Sequence, residues 1–224
     1  MERVQIAGIH DIAEANCCLD AGVRQLGFPL MLDVHEEDCS TSEVAEICRL
    51  LPWGVEKVLI TYLDCAQKIA ALCAKTGISL VQLHGHIDFH EVVLLKKHSP
   101  GLRIIKSLIV RDGNCRELVA SAELWSPLVD AFITDTYDPK SGASGATGQT
   151  HDWEVSRLLV QQTDSPIYLA GGLNPGNVAR AIHTVRPWGV DCHTGVEDEK
   201  GRKAPDLLKV FLQEVQRAFG EIGR

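Results

Sequence analysis

Two glycine-containing segments near the C-terminus carry the plainest chemical signal. Ala170-Gly171-Gly172-Leu173-Asn174-Pro175 offers bare backbone N–H groups, and Asp191-Cys192-His193-Thr194-Gly195-Val196-Glu197 adds a hydroxyl, an imidazole and a second glycine turn. Such donors at the mouth of a fold hold phosphate, so Gly171, Gly172, Asp191, His193, Thr194 and Gly195 are the expected anchor. Five of the nine histidines, His10, His35, His84, His86 and His193, stand in loops where an imidazole can move protons near neutral pH. Asp33-Val34-His35 and His84-Gly85-His86 also have a spacing that suits a divalent metal, although it is not specific for one. Lys106 can form a Schiff base, pair with Asp135 or meet a substrate anion. Asp33, His35, Glu36, Glu37 and Asp38 place four carboxylates and one imidazole within six residues. That cluster is expected to face the substrate; a solvated loop has the same composition.

These residues need elements to bring them together. Short apolar runs at Val4–Ile6, Gln25–Phe28, Lys57–Ile60, Leu80–Leu83, Arg103–Ser107, Ala131–Thr134, Ile167–Ala170 and Gly189–Asp191 read as eight strands. Amphipathic stretches separate them. Ser40-Thr41-Ser42-Glu43 has the spacing of a capping box ahead of Val44, Ile47, Cys48 and Leu51, with Pro52 as the stop. Asp64 is placed to cap the next helix, Asn177 opens another, and Pro205 suits the first turn of the last, which Gly220 closes. Eight such units predict a single-domain (β/α)8 barrel over residues 1–224, with a doubly wound open sheet as the competing arrangement. No G-x-G-x-x-G follows the first strand, which weakens the open sheet. In a barrel every candidate above lies just past a strand C-terminus, on the face where barrel enzymes keep their sites. The Gly- and Ser-rich stretch Thr136–Thr150 follows the sixth strand there and is read as functional.

Composition narrows the classes. The chain has 224 residues and a formal charge of −8, which argues against a nucleic-acid or anionic-membrane surface. No apolar run approaches a membrane span, and the N-terminus enters a strand without an apolar leader. The eight cysteines form no C-x-x-C pair and several sit at core helix positions, as in a reduced, cytoplasmic protein. A monomer and a homodimer are equally compatible with the sequence.

At its motifs the sequence resembles the phosphoribosylanthranilate isomerase family along nearly its whole length. The matching stretches are Gln82-Leu83-His84-Gly85, Ile133-Thr134-Asp135-Thr136, Gly145–Trp153, Leu169–Val178 and Val185–Asp191. The resemblance implies an Amadori rearrangement of a ribosylamine phosphate with no cofactor. It makes Asp135 the general acid on the ring oxygen, and Gly171, Gly172, Asp191 and the His193-Thr194 pair the phosphate segment, where the family usually has Ser-Ser.

Two positions depart from the family. Its K-I-C-G opening, whose cysteine is the general base, reads Gln5-Ile6-Ala7-Gly8. Its S-P-R loop, whose arginine grips the anthranilate carboxylate, is replaced by the acidic segment 29–38. A positioned base contributes about 10²–10⁴-fold in rate. The two losses together predict a paralogue acting on another phosphorylated small molecule, with His10, His84 or the acidic loop as base and Asp33, His35 and Lys106 on the substrate. The alternatives are the ordinary isomerase with a substitute base, and a non-catalytic phosphometabolite binder.

Overall fold

A computed structural model describes residues 3–32, 37–136 and 150–223. Eight parallel strands close into a barrel: β1 (Val4–Ala7), β2 (Gln25–Pro29), β3 (Glu56–Thr61), β4 (Leu80–Leu83), β5 (Arg103–Val110), β6 (Ala131–Thr136), β7 (Ile167–Leu169) and β8 (Gly189–Cys192). Each strand pairs with the next in the chain, and β1 closes on β8 through Gln5↔Asp191 and Ile6↔Cys192. The helices are α1 (Ile12–Ala21), α2 (Thr41–Leu50), α3 (Ala66–Thr76), α4 (Phe89–His98), α5 (Cys115–Trp125), α6 (Trp153–Gln162), α7 (Val178–Val185) and α8 (Pro205–Glu221). A 3₁₀ turn, Thr194–Val196, follows β8. The expected strands all form, most with ends displaced by a residue or two. The open sheet is excluded by the β1–β8 pairing.

Side-chain alternation splits the core in two. Ala7, Ile60, Ile105, Ile133, Tyr168 and Ala170 pack inside the barrel, whereas Ile6, Leu59, Ile104, Phe132 and Val190 face the helices. Below the mouth the interior carries amides. The Tyr168 hydroxyl donates to Gln25 Oε1 (2.9 Å), Gln25 Nε2 to Gln5 Oε1 (2.7 Å), and Gln5 Nε2 to Gln82 Oε1 (2.9 Å). Every bond runs the same way, so each buried amide is satisfied by its neighbours.

The helix signals hold where they are local. Ser40 and Glu43 form the full capping box of α2, and Pro205 opens α8. Two expectations are corrected. Asp64 does not cap α3: Cys65 is its N-cap residue, and Glu91 of α4 accepts from Ala66 N at 2.7 Å. Gly220 does not close α8, which runs on to Glu221, where Arg217 is paired at 2.8 Å. Of the stretch Thr136–Thr150, Thr136 ends β6 and 137–149 lie outside the described residues. All eight cysteines are free thiols; Cys18, Cys39, Cys48, Cys73 and Cys192 are buried.

Candidate active site

Strand alternation delivers the first group. Ile133 points into the barrel, so Asp135, two residues on, shares its face at the mouth. Its Oδ1 accepts from Thr136 N at 2.7 Å. Burial raises the Asp135 carboxyl well above its ordinary range, and nearby His84 opposes this only in part. Asp191 of β8 lines the same cleft and is pushed up to about 7 by burial, reinforced by the charge of Asp135. Its Oδ1 is buried without a partner among the described residues. Two buried carboxyls in one cleft resist ionising together, so a proton is retained there at neutral pH.

The loops after β7 and β8 bring the two glycine segments against each other and against Asp135 in that cleft. Gly171 and Gly172 have φ of 92° and 61°. The approach is so tight that a Cβ on Gly195 would lie 1.9 Å from Leu173 O. Asn174 and Asn177 brace the first loop: Asn177 Nδ2 donates to Gly172 O (2.9 Å) while its Oδ1 accepts from Asn174 N (2.8 Å). His193 and Thr194 complete the lining. All six residues expected at the phosphate anchor therefore border one cleft that also holds Asp135.

The remaining candidates are dispersed. His84 is buried near enough to act on the Asp135 carboxyl, with Nδ1 3.0 Å from Ser107 Oγ and its ring edge-on to Tyr62. His10 is held at both ring nitrogens, Nδ1 by Glu14 (3.0 Å) and Nε2 by Asp38 (3.2 Å). Glu14 in turn accepts from Arg202 Nε at 2.9 Å, and Arg202 also pairs with Asp11. Lys106 does not pair with Asp135. It follows the inward Ile105, and its ammonium donates to the carbonyls of Leu83, Gly85 and Ser107 at 3.2, 3.0 and 3.3 Å. Burial lowers its pKa to about 8. With exposed His86 and Arg111 it borders a separate cavity of about 230 Å³.

Of the acidic segment, Asp33, His35 and Glu36 lie outside the described residues. Glu37 accepts from Met31 N at 2.6 Å and Asp38 faces His10, so these two carboxylates serve the protein's own groups. Among the described residues no three His, Cys, Asp or Glu side chains gather as a metal site.

Sequence reasoning missed His151. Its Nδ1 lies 3.0 Å from Thr136 Oγ1 and its Nε2 2.6 Å from Ser156 Oγ, and burial lowers its pKa to about 4. This neutral imidazole ties the end of β6, next to Asp135, to α6. Its place in the Thr150-His151-Asp152-Trp153 motif was the available signal. The Glu14–Arg202 link joins residues 188 positions apart and left no trace in local pattern.

Comparison with known proteins fits this geometry. The family model described as N-(5'-phosphoribosyl)anthranilate (PRA) isomerase matches residues 5–214. N-(5'-phosphoribosyl)anthranilate isomerase 2 of Methanosarcina mazei is 34% identical, covering 98% of this chain and 96% of its own. The isomerase of Synechococcus sp. is 35% identical over 98% of this chain and 92% of its own. Among solved structures, phosphoribosyl anthranilate isomerase from Thermotoga maritima superposes with a TM-score of 0.81 at 27% identity, covering 97% of this chain and all (100%) of that one. An isomerase in complex with reduced 1-(o-carboxyphenylamino)-1-deoxyribulose 5-phosphate gives a TM-score of 0.79 at 25% identity, over 97% and 100% of the two chains. No described helix is long and apolar enough to cross a membrane. With the barrel, the placement of Asp135 and a match along almost its whole length, the chain belongs to the N-(5'-phosphoribosyl)anthranilate isomerase family.

Proposed function

We propose that this protein is itself an N-(5'-phosphoribosyl)anthranilate isomerase, working without a cofactor. The observation that carries the reading is the shared cleft: a buried Asp135, its carboxyl raised by burial, faces the paired glycine loops after β7 and β8. The substrate's phosphate sits at Gly171, Gly172, Thr194 and Gly195. That docks the ribose ring so that its oxygen meets the Asp135 carboxyl. Proton transfer to that oxygen opens the ring, and a base then removes the C2 proton. Asp191, with an orphan Oδ1 over the same cleft, accepts a substrate hydroxyl. His84 tempers the Asp135 carboxyl from the side. Whole-chain relatives at 34% and 35% identity carry the isomerase's name, and they favour this reading over a changed substrate.

A second reading keeps one specific observation in its favour. Ala7 packs inside the barrel where the resemblance expects the cysteine base, and Glu37 and Asp38 stand in the segment that should carry the arginine. It makes the protein a paralogue for another phosphorylated small molecule. One experiment separates the two. Purified protein should consume phosphoribosylanthranilate, followed by loss of its fluorescence, and should rescue a strain lacking the isomerase. Asp135→Asn should lower kcat about 10³-fold with KM little changed. No turnover by the wild type, with no rescue, would favour the paralogue.

A further inference from the structure

Two of the differences from the family, at Ala7 and at His193, meet in space. Gly8 ends the β1 ladder, donating its N–H to Gly27 O at 3.1 Å with φ of 72°. A Cβ at Gly8 would fall 2.0 Å from His193 Nε2, 2.5 Å from Cδ2 and 2.7 Å from Cε1. The imidazole thus lies against the bare Cα of Gly8, one residue beyond Ala7. The sheet dictates this, because β8 pairs with β1 at Ile6↔Cys192 and the next step along both strands reaches Ala7 and His193.

The ring is also held as a base would be. His193 Nε2 lies 3.4 Å from Glu197 Oε1, one 3₁₀ turn further on. Glu197 is fixed by the fully buried ammonium of Lys203, which donates to its Oε1 and to His193 O (3.2 Å). A carboxylate at Nε2 favours the tautomer with its proton there, leaving the lone pair on Nδ1. The His193 side chain is 25% exposed and lines the cleft that holds Asp135. Acid and imidazole therefore border one cleft.

We propose that His193 is the general base of this protein, replacing the thiol absent at Ala7, with Glu197 as its positioning residue; this rests on the isomerase reading above. In the reaction the Asp135 carboxyl protonates the ring oxygen and the C1–O bond breaks, as the nitrogen lone pair forms a C1=N bond. His193 takes the proton from C2. The C–H electron pair becomes the C1=C2 bond, and the C=N pair returns to nitrogen. Tautomerisation moves the hydroxyl proton off the C2 oxygen and places a proton on C1. It yields the ketose and returns Asp135 and His193 to their starting states.

The test compares wild type, His193→Ser, His193→Asn, Ala7→Cys/His193→Ser and Glu197→Gln in steady-state turnover of phosphoribosylanthranilate. His193→Ser and His193→Asn should each lower kcat about 10²–10⁴-fold with KM within about threefold. The asparagine keeps a planar group over Gly8, so matching melting temperatures guard against a folding defect. Ala7→Cys in the serine background should recover kcat at least about tenfold, and Glu197→Gln should lower kcat, not KM, about tenfold. A rise in KM with kcat intact in both histidine variants makes His193 a phosphate contact and overturns the proposal. So does failure of the cysteine to recover activity in a folded double variant. An inactive wild type overturns the isomerase reading and the base together; an active wild type with active histidine variants overturns only the base.

Discussion

Around β7 and β8 the site is made of backbone: Gly171, Gly172 and Gly195 bring main chain against main chain, and asparagine side chains brace the turn. Around β1 and β2 it is made of side chains: His10, Asp11, Glu14, Asp38 and Arg202 lace the loops through ion pairs. The contrast explains which half of the family's motif survives in this sequence. A backbone cradle has few acceptable substitutes, since any side chain collides. A side-chain lattice can exchange partners if each buried charge keeps one. Ala7 and the acidic segment fall on the exchangeable side, and the replacement at His193 comes from the border between the two.

Three measurements press on this contrast, in descending order of effect. Asp191 is the charged side chain embedded in the backbone-built half. Its folded pKa of about 7 stands above the carboxylate's ordinary 3.8, so the native state binds a proton more tightly than the unfolded chain. Its ionisation therefore costs stability as pH rises from about 4 through 7, and nothing below that window. Asp191→Asn should be more stable than wild type by about 4 kcal/mol at pH 8.5 and little different near pH 4 in urea melts. Equal stability at both pH values would mean that the cradle tolerates a buried charge freely. Gly195→Ala should push Leu173 away and weaken inorganic phosphate binding about tenfold by calorimetry, with the barrel's circular dichroism retained. Unchanged affinity would show that the backbone fit is not what holds the anion. Arg202→Met should leave phosphate affinity untouched while lowering stability by about 1 kcal/mol, since Glu14 keeps the His10 and Lys203 N–H groups. Loss of phosphate binding there would erase the division between the two halves.

Much of the fold was legible because barrel strands are short apolar runs and the helices between them carry local stops. What escaped was long-range. Asp64 looked like a cap because it precedes a helix, but the N–H of Ala66 is met by Glu91 from a neighbouring helix. Gly220 looked like a stop, yet the buried Phe219 and the Arg217–Glu221 pair carry α8 past it. At the site, spacing from strand ends was enough to gather the phosphate residues and Asp135. It could not show that Lys106 turns away to backbone carbonyls, nor that His193 rests on Gly8, a contact across 185 positions that only barrel closure creates.

The amide chain beneath the mouth, from Tyr168 through Gln25 and Gln5 to Gln82, links β7, β2, β1 and β4. Gln5 also hydrogen-bonds Asp191, its register partner on β8. A one-way row of donors transmits orientation: turning one amide end for end leaves two buried groups facing like with like. The row thus behaves as a single rotor, with one setting for all its members. Replacing any glutamine by leucine would strand its neighbours and loosen Asp191 in the same step. Evolution at the rim can therefore proceed one residue at a time, whereas change in this lower storey must come several residues at once.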